Sequence, residues 1–378
     1  MNNFYASVEC MLNMKLKDKP VAVGGDVENP FVFFPEVKEM YDNRLNELRA
    51  IVAERKQRKA AWAAQNPDLA VKMAEWFAGK QPQIDWAAIE QKADSPTRNA
   101  SAHILGILAE NYGNMICSSA DLCNSDKTDG FLKKTHAIVP GDFSGAFLHA
   151  GVSELTMACL CIGMTLHGGV LAACGTFFVF SDYMKPAIRM AALMELPVKF
   201  IWSHDAFRVG EDGPTHEPVE QEAQIRLMEK LKNHNGKNSM LVMRPADVNE
   251  TTQAWKLAME NTDSPTALIL SRQNVNNLPA GNDYKQAEKG AYIVAGSDEE
   301  YDVILLASGS EVSTLVEGAK LLKEDGIKTR IVSVPSEGLF RSQPKEYQQS
   351  ILPCGAKIFG LTAGLPVNLE GLVGHNGK

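Results

Sequence analysis

The sequence has no pair of cysteines in a C-x-x-C spacing. Its seven cysteines, Cys10, Cys117, Cys123, Cys159, Cys161, Cys174 and Cys354, lay out no disulfide-like framework. Most stand in apolar runs, which predicts reduced, buried thiols and excludes a disulfide-stapled scaffold. A basic surplus is missing too: the net charge is −8, which argues against binding nucleic acid through a broad basic surface. No apolar run is long and unbroken. The stretch Leu155–Gly175 is interrupted by Thr165, His167, Gly168 and Gly169, so a buried helix followed by a buried strand is expected instead of a membrane span. No signal peptide, internal repeat or low-complexity segment is read. The expectation is a soluble, cytoplasmic protein with neither nucleic acid nor membrane as partner.

At 378 residues the chain is long enough for two domains and a sizeable core. Its most informative stretch is Gly210-Glu211-Asp212-Gly213-Pro214-Thr215-His216-Glu217-Pro218. This follows an apolar run, Val198–Trp202, that reads as a strand ending in Ser203-His204-Asp205. Glycine and proline fix the backbone of such a loop. An acid, a threonine and a histidine on a rigid turn, with a second histidine at the strand's end, point to a bound polar ligand. A solvated acidic turn would explain the glycines but not both histidines.

Three textures run along the chain. Val21-Ala22-Val23-Gly24-Gly25-Asp26 reads as a short strand and turn. From Pro35 to Ala93 the sequence is helical and highly charged, with Met40, Leu45, Leu48, Ile51 and Val52 at helical spacing and Glu54–Lys59 as a solvated face. Pro82 and Pro96 punctuate an extended connecting segment. From Arg98, helices alternate with short apolar strands at Met115–Ser118, Val198–Trp202, Ser239–Met243 and Thr266–Leu270. These are apolar on both faces, so helices must cover both. An α/β fold with a doubly wound parallel sheet follows. A second, smaller α/β unit begins near Tyr301, with strands at Asp302–Ala307 and Thr329–Val334 around a helix Glu311–Glu324.

Ligands of open parallel sheets bind beyond the carboxyl ends of strands. Ser119-Ala120-Asp121, His204 and Ser271-Arg272 are each delivered there. Helix capping alone would explain Ser271 but not Arg272 or His204.

Arg98-Asn99-Ala100-Ser101, Ser119–Leu122, Gly151–Glu154, Thr176–Tyr183, His204-Asp205, Gly210–His216 and Leu270–Asn274 together resemble the transketolases, in that family's order and near its spacing. The resemblance runs from about Pro30 to the end. It implies four segments: 1–29 unrelated, 30–97 a helical connecting segment, 98–283 a pyrimidine-binding domain and 284–378 a truncated carboxyl-terminal domain. It also implies the cofactor thiamine diphosphate, whose C2 proton must be lost. Glu154 matches the glutamate that pairs with N1′ of the aminopyrimidine, and burial is expected to raise its pKa. Read alone, it would be an acid favoured by a helix N-terminus.

Phe177, Phe180 and Tyr183 recur every three residues, as on one helical face. Such a stripe is usually core, but the resemblance makes Phe180 the ring that packs on the aminopyrimidine. Asp121 falls at the cofactor-proximal strand end. Arg98, Ser125, His204 and Arg272 match residues that hold the substrate phosphate, and guanidinium groups suit bidentate contact. Asp212 matches an acid that binds a substrate hydroxyl. His216 matches a histidine beside the reacting carbons, able to bond the C1 hydroxyl and assist proton movement. Ser153, Leu155-Thr156 and Asn124 depart from the family's commonest residues.

The family's diphosphate site, a Gly-Asp-Gly motif and a later asparagine that chelate Mg²⁺ or Ca²⁺, has no counterpart here. The chain also stops before the family's last domain would be complete. A diphosphate-binding partner domain or subunit, in a homo- or hetero-oligomer such as a dimer, is therefore expected. Residues 1–29 instead resemble the opening of a Y-family DNA polymerase, with Tyr5 matching the aromatic that screens the sugar 2′ position. That segment has neither the family's metal-binding aspartate nor a following palm. The expected activity is transfer of a two-carbon ketol unit between sugar phosphates in the pentose phosphate pathway. Another thiamine-dependent ketol transferase such as dihydroxyacetone synthase, or a non-catalytic dimerising fragment, remains the alternative.

Overall fold

The computed structural model describes residues 34–281, 283–296, 300–375 and 377–378. The strand and turn expected at Val21–Asp26 and the polymerase-like segment lie outside the described residues. Two compact units are present, one ending at Lys72 and the other running from Met73 to Lys378.

Within the first unit a helix spans Pro35–Gln65, with proline in its first turn and Asn66 at its end. It buries none of its residues. The helical spacing of Met40, Leu45, Leu48, Ile51 and Val52 was legible, yet all five are exposed. The expected solvated face Glu54–Lys59 is exposed as well.

The second unit is built on a six-stranded sheet. Its strands are β1 (Met115–Ser119), β2 (Phe147–His149), β3 (Leu171–Phe177), β4 (Lys199–Ser203), β5 (Leu241–Met243) and β6 (Thr266–Leu270). They run in the order β2-β1-β3-β4-β6-β5, all parallel. Side chains alternate across the sheet because successive residues of a strand face opposite ways. From β4, Phe200 and Trp202 enter a core with Met157, Cys161, Phe178 and Met184. Ile201 enters the opposite core with Ile104, Leu108, Phe131 and Trp255. Helices Glu154–His167, Ser181–Leu193 and Gln221–Lys230 contribute to the first core, and Thr97–Asn111 and Val248–Glu260 to the second. This is the doubly wound arrangement expected from strands apolar on both faces.

A second sheet carries β7 (Tyr292–Gly296), β8 (Val303–Ala307), β9 (Thr329–Ser333) and β10 (Ile358–Leu361) in the order β10-β8-β9-β7. Only β7 is antiparallel to its neighbour, and its register shifts between Ile293 and Ala295. The helix Glu311–Glu324 covers one face, through Val312, Leu315 and Ala319. Phe340, Ile351, Leu369 and Leu372 cover the other.

Two sequence expectations change. The helix Glu154–His167, ended by Gly168 and Gly169, is not buried all round: Met157, Ala158, Cys161 and Ile162 face inward while Leu155, Leu160 and Leu166 are exposed. Cys117, Cys161 and Cys174 are buried free thiols, but Cys159 and Cys354 are exposed. No described helix is long and apolar enough to cross a membrane.

Candidate active site

Because the six strands are parallel, their carboxyl ends share one edge, and the central strands β1, β3, β4 and β6 all deliver side chains to it. β4 ends in Ser203, and His204 then turns the chain with φ 62°, a left-handed conformation for a non-glycine residue. The His204 ring is buried, with Nδ1 2.9 Å from Ser203 Oγ. Burial first, then the nearby charges of Arg98, Arg272 and His216, push its pKa down to about 3, so the ring is neutral.

Arg98 lies in the first turn of the helix Thr97–Asn111. That turn is stitched to the end of β6: the Thr97 amide donates to Ser271 Oγ over 3.0 Å, and the Ser271 amide to Thr97 Oγ1 over 2.7 Å. Arg98 Nη1 donates to the Ser125 carbonyl over 2.6 Å, while its buried Nε has no partner among the described residues. Arg272 follows Ser271. Gly210 passes over its guanidinium with φ 98°, and a Cβ there would lie 2.8 Å from Nη2. Only glycine gives both the dihedral and the approach. Neither arginine forms an ion pair among the described residues. Two cations and a neutral imidazole thus converge with no ion pair to either arginine among the described residues, buried Asp126 acting on Arg98 only through its charge, and this donor set suits phosphate.

Beside them stands an aromatic wall. The expected single helical face does not exist: Phe177 ends β3, Phe180 closes a 3-10 turn and Tyr183 opens the helix Ser181–Leu193. A 3-10 turn sets residues three apart above one another, so the rings still stack. Phe177–Phe180 centroids are 5.9 Å apart at 11°, and Phe180–Tyr183 6.0 Å at 27°. Tyr183 is the outermost ring and exposed. His216 sits edge-on to Phe180 at 5.2 Å and to Phe177 at 6.1 Å. It is carried by the 3-10 turn Pro214–His216, with Nδ1 2.8 Å from Thr215 Oγ1.

Glu154 begins the helix that follows β2 and packs on β3. It is 8 % exposed, and its carboxylate accepts no hydrogen bond among the described residues. Asp121, with φ 64°, and Asp212 are exposed at the same edge and in the Gly210–Pro218 loop respectively. The structure therefore gathers Arg98, Ser125, His204, Arg272, Phe177, Phe180 and His216, and shows no side-chain contact that draws in Asp121 or Asp212.

Two supporting residues escaped the sequence reading. Asp126 is buried and accepts from Ser119 Oγ at 2.6 Å, Thr128 N at 2.8 Å and Thr128 Oγ1 at 2.7 Å. It pins the Ser125 loop that holds Arg98, and burial raises its pKa. The Asp-x-Thr spacing, which favours a local turn, was the available signal. Arg244, just beyond β5, pairs with Asp205. Its position after an apolar strand resembles that of Arg272 and could have marked it.

Comparison with known proteins places these observations. The family described as "Transketolase, pyrimidine binding domain" matches residues 94–277, and "Transketolase-like TK C-terminal domain" matches 290–378. A transketolase from Geobacillus stearothermophilus is 40 % identical over 326 residues, covering 84 % of this chain and 47 % of its own. The structure of a transketolase from Leishmania mexicana superposes with a TM-score of 0.80 at 29 % identity, over 93 % of this chain and 51 % of that one. A Pichia stipitis transketolase in complex with sedoheptulose 7-phosphate gives 0.77 at 34 % identity, over 92 % and 50 %. The chain spans about half the length of the curated relatives it matches.

Proposed function

This chain belongs to the transketolase family, and from that premise we propose that it supplies the pyrimidine-facing, sugar-phosphate-binding side of a ketol-transfer site. A two-carbon unit would pass from a ketose phosphate to an aldose phosphate, with a partner binding the diphosphate. The observation that carries this reading is the convergence of Arg98, Arg272 and neutral His204 at one strand edge, with no ion pair to either guanidinium among the described residues.

Thiamine diphosphate is the cofactor the family implies. The residues present fit its aminopyrimidine end: Glu154 is a buried carboxylate without a hydrogen-bond donor among the described residues, and the stacked Phe177–Phe180–Tyr183 wall offers aromatic faces. When bound, the cofactor supplies a nucleophilic carbon and an electron sink. Glu154 would hold a proton at the pyrimidine ring nitrogen, and Phe180 would pack on that ring. Arg98, Ser125, His204 and Arg272 would fix the sugar phosphate. Asp212 would bind a sugar hydroxyl. His216 would hydrogen-bond the C1 hydroxyl and move a proton beside the reacting carbons. Asp121 would face the cofactor from the end of β1.

For the diphosphate end the fit fails. The family's metal site is an aspartate in a Gly-Asp-Gly motif with a later asparagine, and the sequence has no Gly-Asp-Gly. Mg²⁺ or Ca²⁺ and the diphosphate are therefore assigned to a partner domain, in a homo- or hetero-oligomer such as a dimer. Exposed Val152 and Leu155 beside Glu154, and Tyr183, Met190 and Leu193 on the next helix, supply apolar surface for such a partner. A cytoplasmic setting and the pentose phosphate pathway complete the proposal.

Calorimetric titration of the purified chain with ribose 5-phosphate and with ribose tests it. Binding of the phosphorylated sugar alone is expected, and it should weaken by roughly 10- to 100-fold in Arg272→Ala. Equal binding of both sugars would refute the assignment of the phosphate site.

A further inference from the structure

Asp205 directly follows the left-handed His204, is buried, and plays no part in the site described above. Its Oδ2 accepts from Arg244 Nη2 at 2.9 Å and from Ser310 Oγ at 3.0 Å. Ser310 belongs to the smaller domain, in the turn between β8 and the helix Glu311–Glu324. That turn seats on Arg244 in three further ways. Arg244 Nη1 donates to the Ser308 carbonyl over 2.7 Å and pairs with Glu311. The backbone of Gly309, at φ 63°, lies so close that a Cβ would meet Arg244 Cγ and Nε at 2.7 Å. Arg226, itself paired with Glu222 and Glu229, donates from Nη2 to Ser308 Oγ over 3.0 Å.

These groups are all buried, and the carboxylates of Asp205, Glu222 and Glu311 keep Arg244 charged. A charge placed there at such desolvation cost is compensated only if its partners stay in place. A left-handed non-glycine residue likewise persists only where its surroundings over-determine it. The two conditions meet at one peptide, His204–Asp205.

We propose that Asp205 is a positioning residue that holds His204 in its left-handed turn, and that the smaller domain governs this hold through Ser310, Gly309 and Glu311 on Arg244. The smaller domain is then part of the sugar-phosphate site without touching the sugar. The consequence for binding rests on the reading of His204 given above; the hold itself does not.

The test compares Ser310→Ala, Ser310→Thr and Asp205→Asn in the full chain, with ¹⁵N-labelled histidine. His204→Asn assigns the resonance, since the sequence has eight histidines. The groups facing this ring are Ser203, Phe177, Arg98, Arg272 and His216, and Ser310→Ala alters none of them. In the unaltered chain His204 should stay neutral from pH 5 to 8. In Ser310→Ala and Asp205→Asn the ring should begin to titrate in that range, as its ordinary behaviour returns on loosening. Affinity for ribose 5-phosphate should fall by roughly 10- to 100-fold, the share of one charge-assisted hydrogen bond. Ser310→Thr, which keeps the hydroxyl, should behave as the unaltered chain. A lowered melting temperature with His204 still silent in both loosening variants would overturn the proposal and leave Asp205 as domain glue. If the unaltered chain does not bind ribose 5-phosphate, the phosphate reading fails, and the His204 titration still decides the hold. Should Asp205→Asn not fold, Ser310→Ala decides alone.

Discussion

The imidazole of His204 lies against the ring of Phe177, centroids 3.7 Å apart and planes inclined by 32°. One side chain comes from the turn after β4, the other from the last residue of β3. The contact joins the cationic end of the site to its aromatic wall, so a ligand seated on one constrains what can sit on the other.

Replacing Glu154 by Gln should leave the fold intact and nearly abolish turnover when a diphosphate-binding transketolase domain is supplied in trans. Glutamine cannot share a ring-nitrogen proton, and loss of a positioned acid–base group costs about 10²–10⁴-fold. Steady-state rates against an unaltered control check this, and more than half the activity remaining would remove Glu154 from the role.

Arg272→Ala should weaken phosphorylated sugars by roughly 10- to 100-fold and free sugars little. A hydrogen bond to a charged group is worth about 1.5–3 kcal/mol. Gly210→Ala should imitate it more weakly. The new Cβ falls 2.8 Å from Arg272 Nη2 and the φ of 98° strains any L side chain, so displacement of the guanidinium comes with a local backbone cost. Ribose 5-phosphate titrations of both variants, beside melting curves, separate displacement from unfolding.

His204 has its folded pKa depressed from about the ordinary histidine value to about 3. Between these values the unfolded chain binds the extra proton, so the stability linked to His204 is fully present above the unfolded pKa. It is lost as pH falls toward the folded one. The difference in stability between the unaltered chain and His204→Asn, measured from pH 7 to pH 4, should therefore shift against the unaltered chain as pH drops. A flat difference would mean that the ring is not held neutral.

Lys199 opens β4 fully buried, with Nζ donating to the Asn261 carbonyl over 2.8 Å. Burial lowers its pKa to about 7. Lys199→Met should raise the melting temperature, more at pH 6, where the buried amine is charged, than at pH 10, where it is neutral. Equal gains at both values would show that the cost is one of shape.

How far could the sequence be read? The strands β1, β4, β6, β8 and β9 were legible because each is an apolar run buried on both faces. β2 was not: it is three residues long and ends in exposed His149. β10 was missed for a related reason, being an edge strand of mixed exposure. At the site, His204 and Arg272 were legible as polar residues at strand ends, whereas Arg98 came only from the family resemblance. The Phe177–Tyr183 spacing was read correctly but given the wrong backbone, because stacking at intervals of three suits a helix and a strand–3-10 junction equally. Arg244 itself could have been marked by its place after β5, but the cluster of partners around it was beyond reach. Its partners Asp205, Glu222, Ser308 and Glu311 are scattered along the chain, and no local pattern announces a buried charge with half of its partners in another domain.

The strand order β3-β4-β6-β5 also has a bearing on synthesis. β4 leaves the ribosome with β3 already available on one side, but its other neighbour is β6, which emerges only after β5. Until Leu270 is made, β4 has an open edge, and β5 has nothing to pair with. Closure then comes from the later strand inserting between two earlier ones, a non-local step of the kind that slows folding and leaves unpaired edges exposed. The chain's dependence on chaperones should accordingly be concentrated in the interval between Ser203 and Leu270, before the site it builds has any walls.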